Sequence, residues 1–194
     1  LIMLTPLRCT AVLIALSTLL SACGGAPVIA DPQGQDLLVE GAAVTLVNLR
    51  PDPVRKKLSA VNYQQAGLIP RCTAVRFVEA NDEVLVFENS DDGIEYQYIW
   101  YDGAAEDFGT HLSRVFGRRC DPTALKGLNA LELKAIERAE VEVGMSKTAV
   151  LLAIGYPPEH RTPSLASSQW VYWRNRFNRF VLEFDGDRVS RIIE

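Results

Sequence analysis

Beyond residue 22 the chain has no apolar run of the roughly 18 residues that a membrane-spanning helix needs, which excludes a polytopic membrane protein. It has little charge of either sign in excess: 20 Lys+Arg stand against 24 Asp+Glu, a net charge of −4. The strongly basic balance usual in a nucleic-acid-binding domain is therefore missing. Histidine is scarce, with two residues, and the four cysteines show no CxxC spacing. Nor is there an HxxxH pair, so no structural zinc signature is present. No nucleophile–base motif or phosphate-cradling glycine loop occurs either, which leaves no basis for assigning an enzyme or a cofactor. With 48% apolar and 8% aromatic residues the composition is that of a globular protein. Collagen-like, coiled-coil and wholly disordered readings are excluded.

The first 22 residues hold one charge, Arg8, then the apolar run Ala11–Leu20 and the small pair Ser21-Ala22 before Cys23. A short positive region, an apolar core of about ten residues and small residues before a cut site form a secretory signal. Leu20-Ser21-Ala22-Cys23 also resembles the bacterial lipobox, which implies cleavage before Cys23 and lipid attachment (palmitate among the acyl chains) to its sulfur. Gly24, in place of an Asp, resembles the outer-membrane sorting pattern. The expectation is a lipid-anchored protein on the periplasmic face of the outer membrane. Removing 22 residues from 194 leaves 172, and losing Arg8 with no acid takes the net charge from −4 to −5.

Cys9 leaves with the signal and Cys23 carries lipid, so Cys72 and Cys120 remain. In an oxidising compartment an isolated pair is most simply a disulfide. A catalytic thiol lacks a base motif around His111, the one histidine between the two cysteines. A metal site of His111, Cys120 and Asp121 fits by residue type but not by spacing.

Residues 23–36 are small, contain Pro and Gly and lack periodicity, which predicts a flexible tether. Residues 37–128 read as a β-rich domain carrying the disulfide. Thr73–Ala80, Val84–Phe87 and Ile94–Tyr101 alternate apolar and polar positions and are separated by Asn81-Asp82 and Asp91-Asp92-Gly93. That pattern predicts an antiparallel meander, with Val44–Leu49 as a fourth strand. Ile94, Tyr96, Tyr98 and Trp100 share a face, either core or ligand platform. Phe108, Leu112, Val115 and Phe116 then fall on one helical face, predicting a helix over Ala104–Phe116 closed by Gly117.

Residues 129–194 follow another plan. Ala130–Val141 has a short helical pattern. Ser146 is placed to cap a helix over Lys147–Ile154, which Gly155 and Pro157-Pro158 terminate. Gln169–Trp173, Arg179–Phe184 and Arg188–Ile193 are strands with turns between them. The fold class is α+β: an N-terminal meander with one helix, then an α-α-β-β-β module.

In that module Gly144-Met145-Ser146, Val150 and Gly155-Tyr156-Pro157 resemble the glycine–methionine and glycine–proline signature of the SmpA/OmlA (BamE-like) outer-membrane lipoprotein family. Trp170-x-Tyr172 is similar to its strand motif, and Val181 to Val189 to its closing hairpin. The resemblance covers about residues 130–194 and implies a non-enzymatic lipoprotein that binds protein partners in envelope assembly, barrel-assembly subunits among them. The alternative is a periplasmic protein-binding or inhibitor module unrelated to barrel assembly.

Two basic clusters stand out. Arg174, Arg176 and Arg179 surround one hairpin turn with Phe177 beside them, a pattern suited to anionic headgroups or an acidic partner patch. Arg50, Arg55, Lys56 and Lys57 read as a solvated basic loop. The carboxylate pairs Asp91/Asp92 and Asp185/Asp187 sit in turns, where Asp bonds local backbone; the second is too short for an EF-hand.

Overall fold

Alternation of apolar residues is strongest between residues 73 and 101, and in a computed structural model of the chain those residues form the middle of a sheet. The structure describes residues 26–104 and 106–194. After helix α1 (Leu37–Glu40) come strands β1 (Ala42–Thr45), β2 (Lys57–Ser59), β3 (Ala74–Ala80), β4 (Val84–Asn89) and β5 (Glu95–Ile99). Helix α2 (Phe108–Ser113) and the two-residue strand β6 (Phe116–Gly117) follow. The sheet order is β2-β5-β4-β3-β1-β6. The expected meander is β3-β4-β5, antiparallel throughout. Asn81 shapes its first turn by accepting the N–H groups of Glu83 and Val84 at 2.9 and 2.8 Å. Phe77, Phe87, Tyr96 and Tyr98 turn inward against Phe108 and Phe116, so this aromatic face is core.

Three elements differ from expectation. The strand over Val44–Leu49 is shifted to Ala42–Thr45, because beyond it the backbone changes partners: Leu46 N–H donates to Val115 O, and Leu49 exchanges two bonds with Ile69. The helix over Ala104–Phe116 is confined to Phe108–Ser113, capped by the Asp107 carboxylate on Thr110 N–H. Val115 and Phe116 are buried, but β6 pairs with β1 and takes them out of the helix. Residues 28–36 also depart from a free tether. Ile29 is fully buried, its N–H and O bonding to Asp36 and Leu37 respectively. Asp31 meets Arg118 at 3.0 Å. Asp31 Oδ1 also accepts the N–H groups of Gln35 and Gln33, each at 2.9 Å, and these bonds with Arg118 hold its carboxyl below the usual value despite burial.

The second half is α3 (Ala130–Arg138), α4 (Lys147–Ile154), then β7 (Gln169–Trp173), β8 (Arg179–Asp185) and β9 (Arg188–Ile193) in a three-stranded antiparallel sheet. This is the expected order. Trp170, Tyr172, Leu182 and Met145 are fully buried against Ala135, Val150 and Ala153 of the two helices. α3 stops at Arg138 rather than Val141 because Ala139 turns left-handed at φ 52°. Cys72 and Cys120 are joined, their Cα atoms 5.3 Å apart and 48 residues apart in sequence. Closing a loop of that length restricts the unfolded chain by about 4 kcal/mol in the chain-entropy model.

Each hydrophobic cluster belongs to one sheet, and polar side chains join them. The last carbonyls of a helix have no intrahelical donor. Here the loop after β1 supplies donors: Asn48 Nδ2 reaches Ile136 O at 2.6 Å and Ala153 O at 3.1 Å. Asn62 Nδ2 donates to Ile154 O and Tyr156 O at 2.9 and 2.7 Å, and Gln64 Nε2 to Ile154 O at 3.0 Å. Asn48 Oδ1 accepts Arg71 N–H at 2.8 Å. Asn48→Ala would leave Ala153 O and the half-buried Arg71 N–H without these partners, while Ile136 O keeps the Ala139 N–H, and urea unfolding should show a loss of about 1–3 kcal/mol.

Glu132 is a second buried polar group. Its carboxylate closes the capping box on Asn129 N–H at 2.9 Å and also accepts Ser146 N–H and Arg188 Nη1, at 2.8 and 2.9 Å. Burial pushes this carboxyl up, but the Asn129 and Ser146 bonds and the Arg188 charge outweigh it and leave it below its ordinary value of 4.5. A carboxyl lowered on folding stabilises fully above its unfolded value, and that stability is lost as pH falls through the folded value. Glu132→Gln should cost about 2 kcal/mol at neutral pH. Urea midpoints measured from neutral to acidic pH should converge for the two proteins at the acid end.

Candidate functional site

The β7–β8 hairpin is held by its own turn. Arg174 N–H donates to Asn178 O at 2.8 Å, and Asn175 Oδ1 accepts the N–H groups of Phe177 and Asn178. This turn projects Phe177, which is 76% exposed, with the Arg176 guanidinium 4.5 Å over its ring. Arg174 instead lies over Phe180 and pairs with Glu194, so its charge is partly spent. Arg176 and Arg179 form no ion pair among the described residues.

The basic loop is equally ordered. Asp52 Oδ1 accepts Val54 and Arg55 N–H at 2.9 Å each, and Asp52 exchanges backbone bonds with Lys56 and Lys57. The Arg55 and Val54 N–H groups keep the Asp52 carboxyl below its usual value, helped by the nearby Arg55 and Lys56 charges. Gly67 passes so close to Pro51 that a Cβ there would lie 2.5 Å from Pro51 O.

What unites these clusters is one backbone splice. Tyr63 bridges Trp173 in parallel, and Gln64 N–H donates to Trp173 O at 2.8 Å. The basic loop and the hairpin thereby become two walls of a recess of about 570 Å³, lined by Arg55, Lys57, Leu58, Tyr63, Arg176 and Phe177 among others. A second recess of about 300 Å³ shares Tyr63 and Arg176 and adds Tyr101, His160, Arg161 and Trp173. The Tyr101 and His160 rings lie 5.0 Å apart. Burial, then the Arg161 charge, lowers the His160 pKa and favours the neutral ring. Such a surface can bind anions and flat apolar groups.

Of the residues expected to bind, Arg176 and Phe177 line this trough. Arg174 lines a separate recess with Arg50 and Glu194, and Arg179 lines none of these recesses. Arg55 and Lys57, expected only as a solvated loop, belong to the site. The motif residues play a structural part. Gly144 takes φ 97° and Gly155 φ 76°, Ser146 caps α4 on Ala149 N–H, Pro157 is buried, and Tyr172 OH donates to Gly155 O at 2.9 Å. Met145 and Trp170 are core. Cys23 lies outside the described residues.

His111 is nowhere near a metal cluster, and no His/Cys/Asp/Glu group suited to a metal occurs among the described residues. Its Nε2 is 2.9 Å from Tyr98 OH and its Nδ1 3.3 Å from Glu106. Burial drives the Tyr98 phenol far up. The adjoining cavity of about 10 Å³ is too small for a substrate, barely one water's worth. This trio packs the first core.

No protein-family model, no curated protein and no solved structure matches the chain. No helix among the described residues is long and apolar enough to cross a membrane.

The Gly67–Pro51 contact yields a prediction for the site. Gly67→Ala must displace the basic loop, at a cost of about 1–3 kcal/mol. Limited trypsin digestion should then nick the chain after Arg55, Lys56 or Lys57 faster than in the wild type, while sites on α3 keep their rates.

Proposed function

We propose that the chain is a non-enzymatic lipoprotein of the outer membrane, anchored by lipid on Cys23 and facing the periplasm. Its C-terminal module, BamE-like in this reading, binds protein partners in envelope or outer-membrane protein assembly. The observation that carries the binding role is the trough, where cations and rings from two loops far apart in sequence line one recess. The lipobox pattern at Leu20–Cys23 and the signature residues Gly144, Met145, Ser146, Gly155 and Pro157, all at turns, caps or core positions, support the rest of the reading.

A second reading, a periplasmic protein-binding or inhibitor module unrelated to barrel assembly, is favoured by one feature. Half of the trough comes from residues 52–65, outside the stretch that resembles the family.

Cys23→Ser should abolish incorporation of labelled fatty acid and release the protein from membranes; a labelled variant would refute the anchor. Crosslinking and purification from detergent-solubilised envelopes separates the two readings. Barrel-assembly subunits in the eluate support the first, and a soluble periplasmic protein as sole partner supports the second.

A further inference from the structure

The two recesses meet at Tyr63 and Arg176, so they form one elongated trough. Arg55 and Lys57 line only the first, Arg161 only the second, and Arg176 belongs to both. Against these four cations the walls carry one carboxylate, Asp52, whose oxygen is already bonded to two backbone N–H groups. The chain as a whole has net charge −4, so the trough is a local reversal of sign. The rest of the lining mixes apolar and aromatic side chains, among them Leu58, Tyr63 and Trp173, with the uncharged polar Ser59, Gln65 and Asn175.

We propose that this trough seats an extended acidic segment of a partner protein, with carboxylates on Arg55, Lys57, Arg176 and Arg161 and an aromatic side chain between them against Tyr63 and Trp173. The proposal rests on the partner-binding reading above and goes further by naming the chemistry of the partner. A membrane surface meets protruding tips such as Phe177, whereas Leu58 is buried and Trp173 half-buried, lining recesses that a flat bilayer does not enter. A free phosphate would occupy one end and leave the other cations unengaged. An extended chain rises about 3.3 Å per residue with side chains on alternate faces, so acids and a ring at positions i, i+2 and i+4 all face such a lining.

The test uses the full-length chain carrying Cys23→Ser, so that no lipid masks binding. The probe is a fluorescein-labelled octapeptide with Asp at positions 1, 3 and 7, Phe at position 5 and Ser elsewhere, so that acids and ring share one face, read by anisotropy. Binding is expected at about 50 mM salt and should weaken steeply at about 300 mM, where screening shortens to a few ångströms. Arg176→Gln, and separately Arg55→Gln with Lys57→Gln, should each lower affinity about tenfold, a 1.4 kcal/mol change. Arg119→Gln, at an exposed cation away from the trough, should leave it unchanged. Equal binding of a peptide with every acid replaced by Lys would overturn the proposal, as would indifference to the trough variants. Binding of the protein to phosphatidylglycerol vesicles without binding of the peptide would overturn it in favour of a membrane surface. Missing peptide binding leaves the Cys23 labelling result untouched, and missing labelling leaves the peptide result untouched, so failure of either reading is recognisable.

Discussion

The last turn of a helix leaves carbonyls short of donors, and at the ends of α3 and α4 the amides of Asn48, Asn62 and Gln64 reach Ile136 O, Ala153 O and Ile154 O from the opposite half of the molecule. The two hydrophobic clusters are separate, so these amide–carbonyl bonds are contacts that hold one half against the other. A buried hydrogen bond adds only about 1 kcal/mol net, but an orphaned partner costs more. The amides therefore act chiefly by penalising any arrangement in which the halves slip. That constraint reaches the site directly. Asn62 is next to Tyr63, so the residues that close the helix ends also set where the loop crosses Trp173.

The same economy governs the polar core of the second half. Glu132 is bonded at once to the start of α3, the start of α4 and the head of β9 through Arg188. Three elements meet on one carboxylate, and the motif turn Gly144-Met145-Ser146 lies between them. The left-handed φ of Gly144 permits that turn at a position where a side chain would be strained.

Local period made β3, β4, β5 and the α-α-β-β-β order readable, since alternation and helical spacing are properties of short windows. Asn129-x-x-Glu132 is legible as a capping box, but polarity alone would not bury its carboxylate: Glu132 is fully buried while the apolar Leu133 is 40% exposed. β2 has three residues and pairs in parallel with β5, which no local pattern encodes. Val115 and Phe116 fit a helical face and a strand equally well, and pairing with β1 decides for the strand. Arg176 and Phe177 were legible as a cation–aromatic tip. Their union with Arg55 and Lys57 was not, because it depends on the crossing of Tyr63 over Trp173.

The burial of Ile29 sets a leash. If Cys23 carries the proposed lipid, five residues lie between the anchor and the buried Ile29, and the six steps from one to the other span at most about 20 Å when fully drawn out. The body is then confined to a thin layer against the bilayer instead of ranging across the periplasm. A partner must bring its own segment down into that layer, and encounter becomes a search in two dimensions.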